Sequence, residues 1–139
     1  MIMKANNLYS ISYLDSPYIP YIGLWVDISS KELYIGLSDN IPSKANKIFF
    51  TEISINDIQL YIDGKLDLKN YLLDKKFYHY NVNDGEILNN IDIIDFDNLP
   101  ERTKHHIEQS KFYIIDEDSD EIWITTILNR ITNNQKIEL

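Results

Sequence analysis

Three histidines, one D-x-K triplet and a run of carboxylates from Asp116 to Glu121 are the side chains here whose types and spacing raise the question of chemistry. The chain has no cysteine, which removes thiol nucleophiles and thiolate metal ligands. Its glycines, Gly23, Gly36, Gly64 and Gly85, are scattered, so no loop is built to cradle phosphate. No G-x-S-x-G turn presents a serine. His105 and His106 are adjacent, and neighbouring side chains on a helix or strand point to different faces. With no H-E-x-x-H or comparable partner motif, both are expected to be structural or surface residues. The same holds for His79, between Tyr78 and Tyr80. No metal and no cofactor are expected.

Asp67-Leu68-Lys69, with Asp57 upstream, has the form of a magnesium-dependent nuclease site, in which two carboxylates and a lysine hold the ion and activate water. A better account makes both aspartates helix-start residues, where a carboxylate meets unpaired N–H groups and the positive end of the helix dipole. The run Asp116, Glu117, Asp118, Ser119, Asp120, Glu121 lacks the central glycine and spaced terminal glutamate of a calcium loop. Asp92, Asp95 and Asp97 could pair as acid and base, but charge on an edge strand, where it discourages aggregation, is the expected use.

The elements that must carry these residues are mostly strands in the first half. Tyr9–Tyr13 alternates bulky with small polar residues, the period of a half-buried strand. Residues 18–28 are nearly continuous in β-branched and aromatic character and read as a central strand, with Pro20 at its start. Residues 29–31 turn the chain, and 32–37 return as the hairpin partner. Residues 48–53 form another strand. Ser54 then caps a helix with Ile55, Ile58, Tyr61 and Ile62 on one face and Gly64 at its end. Asp67 opens a second short helix through Leu73. Residues 77–82 read as a strand, Asn83-Asp84-Gly85 as a hairpin turn, and the chain from Glu86 as its return, with 91–96 a further strand or its continuation. Pro100 suits the first turn of a helix through Ile107. Residues 112–115 read as a strand. For 122–131 a helix face (Ile124, Ile127, Leu128, Ile131) competes with a β-branched strand, and strand is the expectation. Strands, a helical pair and more strands, without βαβ alternation, predict a single α+β domain over 1–139: a mainly antiparallel twisted sheet with the short helical pair packed on one face.

The stretch 20–83 resembles a family of small bacterial domains of unknown function, on Leu24-Trp25-Val26-Asp27, Ser54, Ile58, Gly64, Leu66, Leu68 and Leu72. The resemblance implies a hairpin, two short helices and a further strand. It implies no activity.

Charge ranks the functions. The 139 residues carry a net −9, and residues 84–139 hold most of the excess. Such a field repels nucleic-acid backbones and steers toward basic surfaces. The absence of cysteine, of a signal-like N-terminus and of any long apolar run leads to the expectation of a cytoplasmic protein away from the membrane. The first expectation is a non-enzymatic acidic binding protein, an inhibitor, immunity or phage anti-defence protein that blocks a basic surface of a protein partner. Asp116, Glu117, Asp118, Asp120 and Glu121 would supply the charge, and Tyr78 and Tyr80 would be aromatic anchors. The alternative is a nucleotide-like small-ligand binder that uses a tyrosine or Trp25 for stacking. The metal-dependent nuclease or hydrolase is third.

Overall fold

Alternation along two glycine-containing strands sets the architecture. β2 (Ile22–Asp27) and β3 (Leu33–Ser38) form an antiparallel hairpin in which Gly23 faces Gly36 and Trp25 faces Tyr34. In the turn between them the Asp27 carboxylate accepts from the Ser29 and Ser30 N–H groups at 2.9 and 3.3 Å. Those bonds explain why a carboxylate can be buried there. The computed structural model describes residues 4–13, 21–41 and 44–110. The strands expected at 112–115 and 122–131, and Pro20, lie outside the described residues.

Four more strands complete the sheet: β1 (Leu8–Tyr13), β4 (Lys47–Glu52), β5 (Lys76–Asn83) and β6 (Glu86–Asp95). The order is β1-β2-β3-β4-β5-β6, and every neighbouring pair is antiparallel. The expected α+β class is therefore the observed one. Asp84 and Gly85, both at positive φ, make the two-residue turn between β5 and β6, the conformation whose twist matches a hairpin.

One face of the sheet is mainly aliphatic. Ile22, Leu24, Val26, Leu33, Ile35, Leu37, Phe49 and Phe77 pack against Ile58, Tyr61, Leu68, Leu72 and Ile107. These last belong to α1 (Ile55–Ile62), α2 (Leu68–Leu72) and α3 (Glu101–Gln109), so the helical pair is joined on this face by a third helix. The other face carries Leu8, Tyr34, Ile48, Phe50 and Tyr80, with Trp25, Tyr78, Val82 and Ile87 around them. Curvature hides this second set. Register shifts interrupt β1–β2 at Ser10/Ser12 and β5–β6 on either side of Tyr80, and bulges of this kind bend and twist a strand. The curl brings β6 against the 3-10 turn Ala5–Asn7 that precedes β1.

The helix ends follow the sequence closely. Ser54 Oγ accepts from the Asp57 N–H at 3.1 Å. Asp67 occupies the N-cap position of α2, but its side chain makes no cap hydrogen bond. At the end of α1, Lys65 N–H reaches the Leu60 carbonyl at 2.8 Å and Gly64 N–H the Tyr61 carbonyl at 3.1 Å, both bonds of a Schellman motif. Gly64 holds φ at +73° with no atom within 4 Å of where a Cβ would stand. Substitution there tests backbone conformation alone. Gly64→Ala should cost about 1 kcal/mol in urea denaturation, and Gly64→Asn should recover part of it, since Asn tolerates this region.

Candidate functional site

Among the described residues, the concave face of the curl contains a region where small side chains leave room. Gly23 and Gly36 face each other across β2–β3, which leaves a strip of sheet without side chains. Trp25 fills part of it. A Cβ on residue 36 would lie 2.6 Å from Trp25 Nε1, 2.7 Å from its Cδ1 and 3.0 Å from Phe50 Cε1. Those distances are below van der Waals contact, so only glycine admits the indole here. Phe50 meets Trp25 edge-on at 5.2 Å, and Tyr80 meets Phe50 edge-on at 5.5 Å. This is the favoured geometry for rings whose faces are negative and edges positive. The aromatic row fixes the indole from beneath.

Beside it lies a cavity of about 200 Å³ whose lining includes Ser10, Tyr21, Gly23, Trp25, Gly36, Ser38, Ile48, Val82 and Ile87. It adjoins a wider trough of about 800 Å³ between the start of the described chain and the β5–β6 turn, lined by Lys4, Ala5, Leu8, Glu86 and Leu88 as well as by Trp25, Gly85 and Ile87. The wall formed by the β3–β4 loop is pinned in place. Asp39 accepts from the Asn46 and Lys47 N–H groups at 2.9 and 3.1 Å, and the Asn46 carbonyl accepts from Val82 N–H at 2.8 Å. Tyr21 also lines the cavity, while its ring packs on the helix-covered face, stacked on His106 of α3 with centroids 3.6 Å apart. Burial, together with His105 and Arg102, holds the His106 pKa below its ordinary value.

A second polar group sits at the turn end of the same face. The Tyr34 hydroxyl donates to Glu32 Oε2 at 3.0 Å. Burial, then the hydrogen bond with Glu32 and repulsion from it, raises the Glu52 carboxyl, against the opposing effect of the Tyr34 hydroxyl. None of the three lines the cavity.

Of the residues singled out in the sequence, Tyr80 is wholly buried at 0% exposure, and its hydroxyl is pushed up to about 12 by burial, Tyr78 and Asp27. It has no surface to offer, so its expected place as a partner anchor is corrected: it is a core residue. Tyr78 is half-buried beside it. Asp116, Glu117, Asp118, Asp120 and Glu121 lie outside the described residues. His79 stacks on Phe49 at 4.9 Å, with Asp92 Oδ1 2.9 Å from its Nδ1. Asp95 pairs with Lys76. The D-x-K elements are engaged separately: Lys69 pairs with Glu108 of α3 at 2.5 Å, while Asp57 accepts from the Tyr71 hydroxyl, which burial and that carboxylate push up to about 12. Among the described residues no cluster of three potential metal ligands occurs, and no helix is long and apolar enough to cross a membrane.

The cavity itself was not singled out in the sequence beyond Trp25. The signal was there in a weak form, since Gly23 and Gly36 break two runs that otherwise favour strand. No family model, no curated protein and no solved structure matches the chain. The geometry is therefore what bears on function.

The raised Glu52 carboxyl gives a signed prediction. Folding favours its protonated form, so the stability it contributes is in place below its ordinary value of 4.5 and is lost as pH rises through the raised value. Glu52→Gln should remove that loss. Urea denaturation from about pH 4 to about pH 8 should show a flatter profile for the variant and greater stability at neutral pH. Equal stability at neutral pH would mean that the carboxyl is fully solvated.

Proposed function

We propose that this protein is a non-enzymatic binding protein that holds a small organic molecule in the concave cavity beside Trp25. One observation carries the reading: a concave cavity lies beside an indole that facing glycines admit onto the sheet and an aromatic row holds in place. An ordinary core would fill that space, because protein interiors pack to crystal-like density. Small-molecule sites are concave, mostly apolar and furnished with a few polar groups, and Ser10 and Ser38 supply such groups here. In a thermal-denaturation screen of small organic compounds, a true ligand at a hundred times its Kd should stabilise by ~2.7 kcal/mol. The same compound should alter Trp25 emission in Trp123→Phe protein. A screen in which no stabilising compound touches Trp25 emission would remove this reading.

The charge of −9 favours a second reading. In it the protein is a cytoplasmic inhibitor, immunity or anti-defence protein that covers a basic surface of a protein partner through Asp116, Glu117, Asp118, Asp120 and Glu121. Electrostatic steering acts mainly on the association rate. Reversing Asp116, Asp118 and Asp120 to lysine should therefore slow association with such a partner and flatten its salt dependence, read by surface plasmon resonance. Unchanged association kinetics would count against that patch.

A further inference from the structure

Resting on the cavity reading above, we infer that the ligand is an uncharged, planar, bicyclic ring compound bearing hydrogen-bond acceptors, and that phosphorylated compounds are excluded. Three features of the cavity select this class.

The first is size and shape. The cavity holds about 200 Å³, and one of ~150 Å³ accommodates benzene, so a single fused two-ring system is the largest rigid body that fits inside. The floor is the pair Gly23 and Gly36, the second of them covered by the indole of Trp25, and an aromatic ring lining the cavity favours a flat ligand that can offset-stack on it or meet it edge-on.

The second is charge. Among the described residues no charged side chain lines the inner cavity. The wider trough outside it brings Lys4, but Glu86 lines the same trough, so among the described residues the mouth offers no net positive charge. Phosphate recognition relies on unopposed Lys or Arg, on a helix N-terminus or on a nest of N–H groups. A phosphate carried to this mouth would lose hydration beside a carboxylate and gain little in return.

The third is polarity. The indole N–H of Trp25 and the hydroxyls of Ser10 and Ser38 are without hydrogen-bond partners among the described residues. An indole N–H can only donate, and a serine hydroxyl can donate or accept. Ring nitrogens and ring carbonyls of a neutral heterocycle answer both. A hydrocarbon of the same shape would leave all three groups unmet, and discrimination between such pairs is large when a site is built around hydrogen bonds.

The experiment uses the full chain carrying Trp123→Phe, so that Trp25 is the sole tryptophan. Four probes are titrated by fluorescence and checked by thermal shift: adenine and quinazolinone as neutral bicyclic heterocycles, AMP as the phosphorylated counterpart, and naphthalene methanol as a ring system poor in acceptors. Acrylamide quenching reports whether Trp25 can be reached at all. Saturable binding of at least one heterocycle, with AMP and the naphthalene compound at least tenfold weaker, is the expected result. Gly36→Ala should weaken heterocycle binding at least tenfold, because the added Cβ displaces the indole. Should that variant fold poorly by circular dichroism, Ser38→Ala, a smaller change, should still weaken it several-fold. AMP binding as tightly as adenine, or the naphthalene compound as tightly as either heterocycle, would overturn the class while leaving a small-molecule cavity in place. Absence of binding by every probe, with Trp25 open to acrylamide, would overturn the class likewise. The same absence with Trp25 shielded from acrylamide would sink both the class and the cavity reading, since the space would then already be filled.

Discussion

A sheet that carries large apolar side chains on both faces must hide both, and here three short helices reach only one. Helices α1, α2 and α3 cover the aliphatic face, where Leu24, Ile35, Leu37 and Phe77 are almost without exposure. The aromatic face has no helix over it among the described residues, yet Tyr34, Phe50 and Tyr80 are equally buried. Curvature is what resolves this. Register shifts fall in the two outer pairs, β1–β2 and β5–β6, while the pairs between them run in continuous register. The middle strands therefore pair regularly, and the bends that such shifts introduce fall in the outer pairs. Everything proposed for the concave face depends on that arrangement, because the cavity is lined by residues of β1, β2, β3, β4, β5 and β6 together.

The same geometry separates two kinds of polarity that the sequence mixes. Carboxylates collect at the turn end, around Tyr34, where burial also raises the tyrosine hydroxyl. Among the described residues, neutral groups line the inner cavity beside Trp25. Acidic charge close to an apolar cavity would disfavour anionic ligands by repulsion as well as by desolvation. The charge balance and the lining therefore point the same way, even though one is a property of the whole chain and the other of a few side chains.

Much of the fold was legible in the residues. Alternation gave the strands, and Ser54, Gly64 and Asp84-Gly85 gave the ends and turn, because each meets a local backbone requirement that few residue types satisfy. Less was legible where the outcome depended on curvature. Tyr78 and Tyr80 are two residues apart on one strand and look alike in sequence, yet one is half-buried and the other has no exposure. The register shifts beside Tyr80 belong to the pairing of two strands, and no residue type marks them. The cavity was hidden for a related reason. Gly23 and Gly36 each read as a weak strand position, and only the register that sets them opposite each other turns two weak positions into one seat for the indole of Trp25. Asp67 was read correctly as the residue before α2, but the expected hydrogen bond is not made. Position in a cap follows from chain geometry, whereas the bond depends on a rotamer that nothing in the sequence dictates.

The irregular pairing at the margins also bears on how this chain meets copies of itself. A regular outer strand offers a ready template for another chain to add to, which is how many sheet proteins begin to aggregate. Here β1 and β6, the outermost strands among the described residues, are those in which the ladder is broken, and β6 also carries Asp92 and Asp95. A foreign strand laid alongside would meet a twisted, charged margin instead of an even row of N–H and C=O groups. The distortion that closes the molecule over its aromatic face thus doubles as protection against self-association.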